Sequence, residues 1–224
     1  MRGVLAFCLL VLAGSASAQQ TGTLITRQPA QTDIRDKGAA RQMLQGYARC
    51  VVDRSPGSAR SMLDLPVDAP KAEKMFERMT GGVEGDDCMA MGGLSFPMAL
   101  MRGAMFEALY RRDYGRVDAA AIAASPAYDY ARGYDTTIPS AEARQAVAMG
   151  RFADCVVRAD PATAIRLIST TSTTSSEDEA LKALTPKIGP CLASGQTFEF
   201  SKSTIRAAVA EALYRRAQMA GAAK

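Results

Sequence analysis

Apolar residues recur along this chain at three- and four-residue spacing, and they do so twice. Leu44, Tyr47 and Val51 lie at i, i+3 and i+7, and Met149, Phe152 and Val156 repeat that stripe. Such spacing puts the apolar side chains on one face of a helix. Each stripe runs past a cysteine, Cys50 or Cys155, and a proline follows six residues after each. Proline in a first helical turn sacrifices no hydrogen bond, so helices are predicted from Pro56 to Leu65 and from Pro161 to Ser169. A third helix is predicted through Lys71 to Met79. Its counterpart in the second half begins at Ser176-Glu177-Asp178-Glu179, which has capping-box spacing ahead of Leu181 and Leu184. A fourth helix closes each half, the second opening at Phe200-Ser201, where Phe200 would staple against Ile205 around a Ser201 cap. Alternating strand patterns are scarce, with Thr23-Leu24-Ile25-Thr26 the one candidate. The pattern predicts an all-α protein.

The halves also share letters. Cys50-Val51-Val52-Asp53-Arg54-Ser55-Pro56 matches Cys155-Val156-Val157-Arg158-Ala159-Asp160-Pro161, and Phe96 corresponds to Phe200. Glu107-Ala108-Leu109-Tyr110-Arg111-Arg112 recurs unchanged as Glu211-Ala212-Leu213-Tyr214-Arg215-Arg216. The spacing is 105 residues at Cys50 and Cys155, 103 at Cys88 and Cys191, and 104 at the hexapeptides. Near-constant spacing at separate anchors is the mark of an internal repeat. The expected fold is therefore two tandem pseudo-symmetric four-helix units, residues 35–113 and 140–219. A Tyr- and Ala-rich connector at 114–139 joins them, an extended arm at 19–34 precedes them and a tail at 220–224 follows.

The start of the chain has the form of an export signal. Met1-Arg2, an apolar run from Gly3 to Leu12 and Ala16-Ser17-Ala18 make a basic, apolar and small-residue succession. Residues 1–18 are expected to be removed between Ala18 and Gln19. The run is too short to span a bilayer, and Cys8 sits inside it, unlike a lipidated cysteine. The mature protein is expected in the periplasm or outside the cell, without stable membrane insertion.

Export brings the cysteines into an oxidising compartment, where an even number points to disulfides. Cys50, Cys88, Cys155 and Cys191 allow three pairings, all compatible with exchange of the halves. Descent from a single-copy ancestor that bonded within itself favours Cys50–Cys88 and Cys155–Cys191, each stabilising by about 3–4 kcal/mol in the chain-entropy view.

Composition then narrows the chemistry. The 224 residues include no His and no Trp, which removes Ser-His-Asp and Cys-His catalysis and His-ligated metals. A net charge of +4 is scattered, without the basic stripe of a nucleic-acid binder. No catalytic residue, metal site or cofactor is singled out. Methionine numbers 12, and Met89, Met91, Met98, Met101 and Met105 would suit Cu(I). However, Met101 and Met105 correspond to Ile205 and Val209, so core filling is the better reading. The acidic Gly81–Asp87 segment reads as a turn.

Two sets of residues remain as candidate sites. Glu107 to Arg111 and Glu211 to Arg215 are i, i+4 pairs in the favourable order, with the double arginine expected near a helix C-terminus. Structurally that accounts for the hexapeptide. Functionally, Arg111, Arg112, Arg215 and Arg216, joined by Arg102 and Arg206, would form two matched anion pockets. The connector's Tyr114, Tyr128, Tyr130 and Tyr134 read either as rings packed under a draped segment or as an interaction surface.

The duplicated Cys-Val-Val and Glu-Ala-Leu-Tyr-Arg-Arg segments resemble those of small secreted helical proteins of Gram-negative bacteria. That resemblance spans most of the mature chain and implies export; it carries no activity. The leading expectation is an exported, non-enzymatic helical protein that binds a protein or cell-envelope component. The alternative is a small-anion binder using the duplicated arginines, and the third a His-independent hydrolase.

Overall fold

The computed structural model describes residues 37–80, 88, 96–193 and 200–222. The expectations for the signal peptide, the 19–34 arm with its Thr23–Thr26 strand, the Gly81–Asp87 turn and the Met89 and Met91 pair lie outside these residues. Within them the chain is all-helical, with no strand.

The first helices are α1 (Lys37–Arg54), α2 (Pro56–Leu63), α3 (Pro70–Thr80) and α4 (Met98–Leu109), the last continuing into a π-helical turn, Tyr110–Tyr114. After a short α5 (Ala119–Ala124) come α6 (Ala141–Ala159), α7 (Pro161–Ser169), α8 (Ser175–Cys191) and α9 (Lys202–Ala222). Pro56 and Pro161 stand in the first turns of α2 and α7. Asp160 caps α7 by accepting from the Thr163 amide at 3.0 Å, and Ser201 caps α9 by accepting from the Thr204 amide at 3.0 Å. Phe200, ahead of that cap, stacks on Phe152 at 5.1 Å between centroids.

Three local expectations need correction. The cap of α8 is Thr174, whose hydroxyl accepts from the Glu177 amide, while the Glu177 carboxylate accepts from the Thr173 amide. The box therefore starts two residues earlier than the Ser176 spacing suggested, because Thr174 already has the extended backbone an N-cap requires. The connector holds a helix of its own, since the Asp118 side chain accepts from the Ala121 amide and nucleates α5. Finally, the second double arginine is not near a helix end, because α9 continues past Arg216 to Ala222.

One apolar core runs through both halves. It contains Val51, Val52, Met62, Leu63, Phe106 and Leu109 from the first, and Val156, Val157, Leu167, Ile168, Leu184 and Leu213 from the second. Helices α4 and α9 make the most extensive contact, α1 packs on the outer side of α4, and α6 packs on α9. The α4–α9 crossing is close. A Cβ on Gly103 would collide with the Cβ of Ala207, so only glycine lets the two backbones approach this far. Met101 and Met105, buried at 1% and 0% exposure, belong to this core.

Disulfides Cys50–Cys88 and Cys155–Cys191 tie α1 to the segment before α4 and α6 to the end of α8, with Cα separations of 5.5 and 5.7 Å. Such bridges suit an oxidising, exported environment. No helix among the described residues is long and apolar enough to cross a membrane.

Candidate binding site

The six arginines of interest all lie on α4, the π-helical turn and α9. Five are drawn inward by backbone carbonyls and carboxylates. At the end of α2, Arg102 donates from Nη2 to the Leu63 and Leu65 carbonyls, both at 3.0 Å, and Arg215 donates to the Leu63 carbonyl at 2.8 Å and to Asp64. At the end of α7, Arg111 donates to the Ile168 and Thr170 carbonyls at 2.8 and 2.7 Å, and Arg206 donates to the Thr170 carbonyl at 2.7 Å. Exposed carbonyls at a helix C-terminus carry partial negative charge, which a guanidinium satisfies. Arg111 and Arg215 thus each reach across to the other half.

The second arginine of each hexapeptide differs. Arg216 is fully buried and donates to Asp154 at 2.6 Å and to the Ser125 carbonyl at 3.1 Å. Arg112 is exposed and meets Asp53 at 3.4 Å. Arg216 has the Asp154 carboxylate to draw it inward, whereas the residue 105 positions before Asp154 is Arg49, a cation that draws no arginine inward.

The tyrosines of the connector are also engaged. The Arg215 guanidinium lies 4.8 Å from the Tyr128 ring centroid, the geometry of a cation–π contact. Tyr130 is buried against Gly150, and its hydroxyl lies 3.5 Å from Asp154. Tyr134 accepts from the Val67 amide at 3.2 Å, and Tyr114 stands edge-on to Tyr214 at 5.4 Å. Burial pushes the phenol pKa of Tyr130 well up, with Asp154 adding to the shift.

The two hexapeptide glutamates have opposite surroundings. Glu107 receives a two-pronged ion pair from Arg206, Nε to Oε2 at 2.8 Å and Nη2 to Oε1 at 2.9 Å. Arg111 joins at 2.9 Å, and the Gln45 amide donates to the same carboxylate. Arg206 also bridges at 3.0 Å to Glu177, which is fully buried and paired on its other side with Arg41. Burial acts against the Arg206 cation, but hydrogen bonds and charge from Glu107 outweigh it and raise its pKa. Beside this network only about 40 Å³ of space is left.

Glu211 has no such network. Among the described residues its carboxylate has no hydrogen-bond or ion-pair partner, and the expected Glu211–Arg215 pair is not formed. Arg215 is held by Asp64 and Leu63 instead. Burial pushes the Glu211 pKa up, with Arg215 and Arg102 only partly offsetting it. Its wall opens on a cavity of about 300 Å³ between α4, α6 and α9, with Met98, Leu100, Met149 and Ala208 among its apolar lining.

The linings of the two spaces can be compared at a sequence offset of 104 or 105 residues. Leu44, Gly103, Glu107 and Arg206 line the small one; at the matching positions Met149, Ala207, Glu211 and Arg102 line the large one. The difference lies on the flanking helix. Arg41 and Gln45 on α1 reach into the network at Glu107, whereas the matching positions on α6 are Ala146 and Gly150. Ala146 leaves the space empty, and at Gly150 the Tyr130 ring takes the place of a side chain.

Sequence reasoning missed Ala146, Gly150, Arg41, Gln45, Asp64, Asp154 and Glu177. Extending the repeat alignment back from the cysteines would have exposed the first four as mismatched pairs. Among the described residues no cluster of three or more Cys, Asp or Glu could hold a metal ion. Comparison with family models, curated proteins and solved structures finds no match to the chain.

Proposed function

We propose that the chain is an exported, non-enzymatic binding protein made of two tandem copies of one helical unit, and that it binds a small ligand, or a small group of a larger envelope component, in the cavity beside Glu211. The ancestral unit carried a glutamate and two arginines facing the partner unit. In one copy that site was filled by Arg41 and Gln45 and became structural. In the other it stayed open.

The observation that carries this reading is the Glu211 carboxylate, unpartnered on the wall of a largely apolar cavity of about 300 Å³. An acid whose charged form is disfavoured by burial, on the wall of a mostly apolar cavity, marks a candidate ligand site. Cavities of that volume are at the lower end of the range for small-molecule sites. The duplicated arginines give less support to an anion pocket, because Arg102, Arg111, Arg206 and Arg215 already serve internal carbonyls and carboxylates.

Methyl-labelled methionine reports on this directly, since Met98 and Met149 line the cavity. A fragment set of small apolar amines, acids, alcohols and amides should shift those two methyl signals and leave the core Met62 unmoved. The cavity-filling Ala146→Met should abolish the response. No shift from any fragment, or shifts unaffected by Ala146→Met, would overturn the reading.

A further inference from the structure

Resting on the cavity reading above, we infer that the ligand presents a cationic N–H donor group, an ammonium or guanidinium, on a short apolar body, and that Glu211 accepts from it.

The molecule itself demonstrates what this carboxylate position demands. Glu107, at the matching place in the repeat, is satisfied wholly by nitrogen donors: the Arg206 fork, Arg111 and the Gln45 amide. The Arg41 guanidinium stands one partner further out, on Glu177. At Glu211 those donors are missing for identifiable reasons. Arg102 turns its Nη1 and Nη2 to the carbonyls of Met62, Leu63 and Leu65, and Arg215 turns its own to Asp64 and Leu63. Gln45 is matched by Gly150 and Arg41 by Ala146. The Tyr130 ring covers the place beside Gly150, while the side of Ala146 stays open, so a ligand that enters the cavity there can supply the N–H donors that Glu211 lacks.

Charge points the same way. From α6 the exposed Glu142 adds a second carboxylate at the rim of the cavity. Of the two arginines near Glu211, Arg215 is paired with Asp64 and Arg102 with the carbonyls at the end of α2, so both act on Glu211 through charge but neither offers it a hydrogen bond. An anionic ligand would meet Glu211 and Glu142 with no free arginine fork to receive it. A cation meets a carboxylate partly removed from water, where a charged hydrogen bond is strong. The apolar walls from Met98, Leu100 and Met149 leave room for an alkyl or aryl body, and Gln145 and Thr204 are the uncharged polar side chains on the lining.

Isothermal titration of the full mature protein at low salt and pH 7.5 tests this with a matched set: pentylamine, pentylguanidine, pentanol and hexanoate. The amine and guanidine should bind at least about tenfold more tightly than the alcohol, the scale of one hydrogen bond to a charged group. Hexanoate should not bind. Glu211→Gln, checked for its helical circular dichroism and both disulfides, should lose the preference for cations while keeping the weak binding of pentanol. Equal or tighter binding of pentanol or hexanoate would overturn the cationic assignment and leave the cavity reading standing. Absence of binding by all four, with the Met98 and Met149 methyl signals unmoved, would overturn both.

Discussion

Arg206 holds Glu107 with a two-pronged ion pair, 2.8 Å from Nε and 2.9 Å from Nη2, across the contact between α9 and α4. Both side chains are nearly inaccessible, at 6% and 5% exposure, and the pair joins the two halves of the sequence at their tightest crossing. Breaking one member of a buried pair strands the other charge, at a cost of about 3–5 kcal/mol. Glu107→Gln should therefore lower stability by that order in urea unfolding, and Arg206→Met by a similar amount. A change below about 1 kcal/mol, the level of an exposed pair, would contradict this structural role.

The same substitution at Glu211 should act in the opposite direction. Burial raises the Glu211 pKa above its ordinary 4.5. The folded chain then holds the proton more tightly than the unfolded chain. Its contribution to stability is complete below pH 4.5 and is lost as pH rises through the folded value. At neutral pH, where the unfolded chain carries this group ionised, the penalty that burial places on the charge opposes folding, so Glu211→Gln should raise the melting temperature at pH 7. The gain over the wild type should shrink as pH falls towards 4.5. A lower melting temperature for Glu211→Gln at pH 7 would show that the carboxylate has a partner after all.

Glycine at the helix crossing gives a paired test. Gly103 touches Ala207 so closely that an added methyl has no space, whereas a Cβ on Gly46 of α1 would meet nothing within 4 Å. Gly46→Ala should stabilise the protein by up to about 1 kcal/mol, the difference in helix propensity. Gly103→Ala should destabilise it despite the same gain in propensity, because α4 and α9 must separate. Thermal melts of both variants check the sign of each.

The disulfides make a further check on connectivity. Peptide mapping of the unreduced protein should recover Cys50–Cys88 and Cys155–Cys191 and no peptide pair that crosses between halves. Replacing Cys155 and Cys191 by Ala should cost about 3 kcal/mol, the scale for a closed loop of this kind.

Much of the fold was legible in the sequence because helices write their buried faces at fixed spacing. The Leu44–Val51 and Met149–Val156 stripes, the prolines opening α2 and α7 and the Ser201 cap all act through local chemistry. The site was less legible. A repeated Glu-x-x-x-Arg suggests an i, i+4 pair in both copies, and Glu107–Arg111 forms it. Glu211–Arg215 does not, because the carbonyl end of α2 and Asp64 compete for the same guanidinium from far along the chain. Nor did the identical hexapeptides foretell that Arg112 would be exposed and Arg216 buried. That depends on Arg49 or Asp154 on a neighbouring helix, a tertiary contact with no local signature.

Under the proposed function, the space beside Glu211 is an open ligand site whereas the space beside Glu107 is filled. A crystal structure of the protein grown with 4-bromobenzylamine measures this most directly, since bromine marks its own position by anomalous scattering. The expected result is a bromine peak among Met98, Leu100 and Met149, with the ammonium nitrogen about 3 Å from a Glu211 carboxylate oxygen, the ordinary length of a charged hydrogen bond. A cavity closed by neighbouring side chains, with Glu211 held by an arginine as Glu107 is, would contradict it.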